Sequence, residues 1–217
     1  MGKRIIITGA TGYVGEGVLL ESLEHPEINE VLVVGRKPCG RTHHKLKELL
    51  VPDFFSLEPE SERLRGHDGG FFCAGISSVG MKEAEYMRFT HDATLAFATV
   101  LHGASPGATF IYVSGAGTDS TEKGRLMWAR VKGRTENDLA RLGFAQQFNF
   151  RPGIMRPGTG QRNPKAWQRL LVPVFALLMP RSTCTIQEVG RAMINAMLKG
   201  WPTHVVEVKD MKALAKG

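Results

Sequence analysis

Cysteine is scarce in this chain, and its distribution excludes a disulfide framework. Cys39, Cys73 and Cys184 are odd in number, far apart and set in dissimilar contexts, the pattern of free thiols in a reducing compartment. Long apolar runs are missing too. The longest, Leu170 to Met179, is broken by Pro173 and falls short of the ~20 residues that cross a bilayer, so stable membrane insertion is not expected. Zinc-ligand spacings, an RNP-type segment and long Lys/Arg runs are absent, so the surplus of 28 basic over 21 acidic residues does not read as a nucleic-acid surface. A phosphate-rich small molecule is the simpler partner for a formal charge of +7. The first strand begins by Arg4, which leaves no room for a signal peptide, and a cytoplasmic protein is expected. At 217 residues the chain suits one well-buried domain and is short for two.

What is present is concentrated near the start. Ile5, Ile6 and Ile7 feed a turn containing Gly9, Gly12 and Gly15, and an apolar-periodic stretch follows (Val14, Val18, Leu19, Leu23). Strand, tight loop and helix start in that order form the context of a dinucleotide-binding glycine motif. Gly9 permits the sharp turn, Gly12 lets the backbone approach a pyrophosphate, and Gly15 allows the helix to pack close to the strand. Thr11, Tyr13 and Val14 complete the loop, whose N–H groups face the phosphate charge.

The rest alternates strand and helix. Val31 to Val34 is a continuous apolar run, as in a parallel strand buried on both faces. Leu46 to Val51 leads to a third strand expected at Asp53–Phe55, and Gly70–Gly75 reads as a fourth. Met81 to His102 is helical, Thr109–Ser114 is a fifth strand, Lys123 to Leu142 another helix, and Phe148–Arg151 a sixth strand. The fold class is therefore α/β, a doubly wound, mostly parallel Rossmann-type sheet in a single domain over 1–217. The ligand crevice belongs at the carboxyl ends of the strands. A region over about 152–203 is expected to form a lid. It comprises the Pro/Gly-rich Pro152 to Pro164, an apolar helix near Ala166 to Met179, and a helix at Ile186 to Lys199 with a capping box, Thr185-x-x-Glu188. Arg162, Lys165, Arg169 and Arg181 flank the middle helix, so an anionic membrane or a second subunit could touch it; packing on its own domain is the commoner arrangement, and a homodimer stays open.

At the end of the second strand, an NAD-type site offers a carboxylate to the adenosine ribose. Here Arg36 and Lys37 stand instead. A guanidinium grips a 2′-phosphate through paired charge-assisted bonds, so NADP(H) is preferred over NAD(H); the plainer alternative is a solvated loop that happens to be basic. Asp53 and Phe54 fall where the adenine would lie, although a strand-end Asp serves equally as a turn residue. Cys73, Ala74 and Gly75 suit a backbone passing close to a cofactor, and Cys73 reads as a small hydrophobe, not a nucleophile. Ser77, Ser78 and Met81 could line a substrate pocket without naming a substrate.

With Ser114, Trp128, Lys132-Gly133 and Arg151-Pro152-Gly153 added to the glycine motif and Arg36, the whole chain resembles the short-chain dehydrogenase/reductase superfamily. It is similar to the single-domain atypical and extended branch of epimerase-like proteins and Tat-interacting-protein-like oxidoreductases. The resemblance implies a Ser/Tyr/Lys active site with Tyr and Lys in a Y-x-x-x-K spacing, which puts both on one helix face. The lysine holds the nicotinamide ribose and lowers the tyrosine pKa, so that the phenol exchanges a proton with the substrate oxygen. By that pattern Ser114 and Lys132 are catalytic, Lys132 and Pro152 border the cofactor, and the tyrosine position holds Trp128. An indole N–H donates a hydrogen bond but is no acid or base near neutral pH. Of the three tyrosines, Tyr13 belongs to the glycine loop, Tyr112 reads as core, and Tyr86 as core or interface. Two functions follow: an unusual NADP(H)-dependent oxidoreductase acting on a small carbonyl or unsaturated substrate, or a dinucleotide-binding sensor or interaction protein that has lost catalysis.

Overall fold

The computed structural model describes residues 2–162 and 182–217. Strand β1 (Lys3–Thr8) leads through the glycine turn into helix α1 (Tyr13–Glu24), followed by β2 (Ile28–Gly35) and β3 (Leu46–Leu50). A 3-10 turn at Glu58–Leu64 precedes β4 (Gly69–Phe72). Helix α2 (Glu83–Met87) runs through one wide π turn, Arg88–Asp92, into α3 (Ala93–Ala104). Next come β5 (Thr109–Val113), α4 (Met127–Leu139), β6 (Gln146–Phe150) and β7 (Ile154–Arg156). The chain ends in β8 (Thr183–Thr185), α5 (Ile186–Lys199), β9 (Val205–Val206) and α6 (Val208–Leu214).

Seven strands form one sheet in the order β3-β2-β1-β4-β5-β6-β9, while β7 and β8 pair separately. Every pairing is parallel. Alternation along β1 explains the two-sided core. Ile5 and Ile7 join Val18 and Leu19 of α1 and Val189 and Met193 of α5 on one face. Ile6 joins Phe72, Phe97, Leu101 and Phe110 on the other. A sheet covered on both faces needs apolar residues at every position, hence the uninterrupted runs at Ile5–Ile7 and Val31–Val34. Strand order reverses between β1 and β4, which opens a crevice where both strands end.

Three expectations shift. The third strand lies at Leu46–Leu50, paired in register with Val31–Gly35, and not at Asp53–Phe55. The Asp53 carboxylate accepts the N–H groups of Phe55 and Ser56, both at 2.9 Å, and so turns the backbone there. Helix α4 starts at Met127 and not at Lys123, because Asp119 takes the Thr121 and Gly124 N–H groups and holds that stretch as a loop. The region expected as a lid divides. Residues 163–181, including the helix expected at Ala166–Met179 and the flanking Lys165, Arg169 and Arg181, lie outside the described residues. Residues beyond them build core: α5 lies against α1, and β9 extends the sheet beside β6.

Helix α5 begins with the expected box. Thr185 Oγ1 accepts the Glu188 N–H at 3.1 Å, and the Glu188 carboxylate accepts the Thr185 N–H at 2.6 Å. Thr185→Ala should lower stability by about 1 kcal/mol. Urea denaturation checks this: the midpoint falls and the slope is unchanged.

Candidate functional site

The glycine turn is held by close approaches. Gly9 has φ +71°, and a Cβ on it would sit 2.6 Å from the Ala74 nitrogen. Its carbonyl accepts the Gly12 N–H at 2.8 Å. A Cβ on Gly15 would fall 2.1 Å from that same carbonyl oxygen, so Gly15 is small because of the turn itself and not because of the strand. The Thr8 hydroxyl accepts the Ala74 N–H at 3.2 Å and ties the loop after β4 to the end of β1. Gly12 opens α1 with no side-chain cap, and a Cβ there would meet only the Gly9 oxygen, at 3.2 Å. The first turn of α1 thus offers bare N–H groups, and the positive end of the helix dipole, to an anion.

A cavity of about 600 Å³ lies against this turn. Gly9, Thr11 and Gly12 form its floor; Arg36 and Lys37 enter from the end of β2; Asp53 and Phe54 from the loop after β3; Cys73, Ala74 and Gly75 from the end of β4. Phe54 is fixed by edge contacts to Phe72 and Phe97. Burial pushes the Cys73 thiol up to about 12, leaving it protonated and inert. Among the described residues no carboxylate pairs with Arg36 or Lys37. Met81 lines the cavity, whereas Ser77 and Ser78 do not. Sequence reasoning missed Phe55, Ile76 and Phe89 as walls. Phe89 sits in the π turn, which breaks the helical period that would have flagged it. The Arg88 guanidinium lies 5.7 Å from the Phe55 ring and 5.9 Å from the Phe89 ring, bracing both.

The other predicted residues lie outside this cavity. Tyr13 donates its hydroxyl to the Met155 carbonyl at 2.7 Å, and burial raises its pKa to about 12. Val14 packs on the core and Gly15 is enclosed. Pro152 accepts the Ala116 N–H at 2.9 Å, which fixes the loop after β5. Ser114 is buried and directs its hydroxyl to the Glu136 carboxylate at 2.5 Å, with the Phe150 carbonyl at 3.2 Å. Glu136 is itself buried and paired with Arg151, which donates Nε to it at 3.0 Å and a second bond from Nη2. Lys132, partly buried on α4, donates to the Ser114 carbonyl. Desolvation lowers its pKa to about 8, against the opposing pull of Glu136. Trp128, one turn earlier, lays its indole over Gly117, with a ring carbon 3.5 Å from where a Cβ would stand. Tyr86 and Tyr112 are 2 % and 1 % exposed, so both belong to the core.

No protein-family model matches the chain. Protein HTATIP2 of Rattus norvegicus is 26% identical over 204 residues, covering 90% of this chain and 81% of that protein. Protein fmp52, mitochondrial, of Emericella nidulans is 23% identical over 210 residues, covering 90% and 87%. Among solved structures, the ADP-L-glycero-D-manno-heptose-6-epimerase of Helicobacter pylori superposes with a TM-score of 0.69 at 16% identity, covering 99% of this chain and 81% of that one. The Bordetella bronchiseptica enzyme WbmH in complex with NAD+ does so at 0.66 and 15%, covering 94% and 75%. The fold is the Rossmann-type α/β fold of these dehydrogenases and epimerases, and the chain is similar to HTATIP2 and fmp52 over 90% of its length. The glycine turn that carried the resemblance in the sequence is present in the structure.

The last glycine of the turn and the middle one should respond differently to a methyl group. Gly15→Ala, forced onto the Gly9 carbonyl, should lose about 3 kcal/mol of stability. Gly12→Ala should stay within about 1 kcal/mol of wild type yet lose dinucleotide affinity. Paired denaturation and binding titrations of the two variants separate these outcomes.

Proposed function

We propose that the cavity takes a nicotinamide dinucleotide, NADP(H) in preference to NAD(H), and that the protein is an oxidoreductase acting on a small carbonyl or unsaturated substrate. The observation that carries this is the cradle at Gly12: a capless helix start, roomy enough for phosphate oxygens, facing a cavity rimmed by Arg36 and Lys37. The WbmH structure, named for its NAD+ complex, supports a dinucleotide on this fold. When bound, the nicotinamide supplies or accepts hydride. The chain's own residues do the rest. Amides of Gly12 to Gly15 hold the diphosphate, Arg36 and Lys37 take the 2′-phosphate, and Asp53 and Phe54 border the adenine. Lys132 donates to the nicotinamide ribose, and Pro152 keeps the loop after β5 in place. With Trp128 donating only a hydrogen bond, water or the substrate provides the proton. The partner is a small molecule, with no nucleic acid. The three free thiols fit a reducing compartment, which we take to be the cytoplasm. Among the described residues no helix is long and apolar enough to cross a membrane.

A second reading is a dinucleotide sensor without catalysis. The Ser114 hydroxyl, turned inward to Glu136, favours it, as does the indole over Gly117. The two readings share every cofactor contact and differ only in turnover. Turnover of NADPH with any carbonyl of a substrate panel, abolished by Lys132→Ala, defeats the sensor. If Trp128 merely silenced an inherited reaction, Trp128→Tyr should restore reduction.

NADPH should raise the melting temperature more than NADH at equal concentration, by mass action on the folded state. Arg36→Ala should remove most of that difference; equal losses for both nucleotides would refute its role. Affinity should also depend on pH with a definite sign. Lys132 is an ammonium below about 8 and a neutral amine above it, so binding weakens as pH rises through that value. Lys132→Met should flatten the profile, read by titration of NADPH across the range.

A further inference from the structure

Glu16 is a carboxylate only 2 % exposed in the first turn of α1, directly after the glycine motif. It is held by groups from two separate loops. Arg41 Nη2 donates to Glu16 Oε1 at 2.5 Å, and the Arg162 N–H donates to both carboxylate oxygens, at 2.9 and 3.0 Å. The two loops are also stitched to each other. Arg41 donates to the Gly160 carbonyl at 2.7 Å, and Arg162 Nη1 donates to the Gly40 carbonyl at 3.0 Å. One of these loops carries Arg36 and Lys37. Its base is fixed by the Val51 N–H on the Gly35 carbonyl, and its middle by the Cys39 N–H on Glu48 at 2.6 Å. Arg41 ties it to the first turn of α1, and Lys45 Nζ ties its far end to the His25 carbonyl, at the other end of that helix, at 2.9 Å.

We infer that Glu16 is a positioning residue: by clasping Arg41 and the backbone at Arg162, it sets the loop that presents Arg36 and Lys37 to the cavity, and thereby sets the preference for a 2′-phosphorylated dinucleotide. The inference rests on the dinucleotide reading above. A carboxylate beside a diphosphate site repels the ligand unless its charge is matched, so a helix that binds phosphate has no use for a bare Glu16. Pairing with Arg41 removes the repulsion and turns the carboxylate into an anchor. Burial makes the pair unforgiving, since either partner left alone is a charge without its counter-ion.

The sign of one substitution separates this role from plain electrostatics. If Glu16 only repels phosphate, or competes with it for Arg41, Glu16→Gln tightens NADPH binding. If it positions the loop, Glu16→Gln weakens NADPH about tenfold, the loss of one well-placed charge-assisted bond, and leaves NADH within about twofold. Arg41→Gln, on the loop side, should give the same selective loss, and the double variant should be no worse than either single one. Tightened NADPH binding, or equal weakening of both nucleotides, overturns the inference. A second measurement needs no nucleotide: trypsin should cleave after Arg36 faster in Glu16→Gln than in wild type, because the loop is released. Unchanged cleavage overturns the clasp even where NADPH binds. Faster cleavage in a protein that binds neither nucleotide keeps the clasp, and overturns both the dinucleotide reading and the role in selectivity.

Discussion

The turn between β1 and α1 depends on one crowded atom, the carbonyl oxygen of Gly9. It accepts the Gly12 N–H at 2.8 Å and occupies space that a Cβ on Gly15 would take, 2.1 Å away. Gly9 itself presses against the backbone of Cys73 and Ala74, at the end of the neighbouring strand. Three pieces of backbone therefore meet with no side chain between them. Widening any of these contacts would swing the start of α1 away from the cavity, and with it the row of N–H groups that makes the site attractive to phosphate. The reversal of strand order between β1 and β4 supplies the crevice; the crowded carbonyl aims the helix into it.

The half of the cleft beyond β5 is organised by charge instead of close approach. Glu136 is buried with Arg151 on one side and the Ser114 hydroxyl on the other. A hydroxyl donating to a carboxylate has no proton left for a substrate oxygen, though its lone pairs stay available. Lys132 leans on the Ser114 carbonyl, with its ammonium weakened by desolvation. Its pKa is lower folded than unfolded, so the unfolded chain binds more protons between about 8 and the ordinary value of 10.5. Burial of Lys132 thus opposes folding below about 8, and that opposition fades as pH rises. Such an amine persists where a ligand repays it. Lys132 is thus a group of this half that titrates near neutral pH, beside a serine whose proton is already given to Glu136.

Most of the fold was legible because its signals are local. Ile5–Ile7, Val31–Val34 and the glycine spacing each report a buried strand or a tight turn within a few residues. The capping box at Thr185 was legible for the same reason. Leu46–Leu50 was not, since Lys47 and Glu48 break the apolar run; an edge strand with one neighbour tolerates them. Phe89 was hidden by the π turn, which moves it off the helical period. The inward aim of Ser114 was beyond sequence reasoning altogether. It depends on Glu136 and Arg151, 22 and 37 positions later, and no spacing rule links a strand end to a helix face and a following strand. The pairing of Glu16 with Arg41, 25 positions later, was out of reach for the same reason.

The charge balance around the cavity gives the last constraint. Its nearby carboxylates are already engaged: Glu16 by Arg41 and the Arg162 N–H, Glu48 by the Cys39 N–H, Asp53 by the N–H groups of Phe55 and Ser56. Arg36 and Lys37 are the cations among the described cavity walls, and no carboxylate of the described residues pairs with them. Two like charges side by side at a rim repel each other, and water screens them only in part. Such a pair is stabilised most when a ligand brings the missing negative charge, and a monoester phosphate brings up to two. An unphosphorylated ribose brings none, which is the electrostatic ground for the proposed preference for NADP(H).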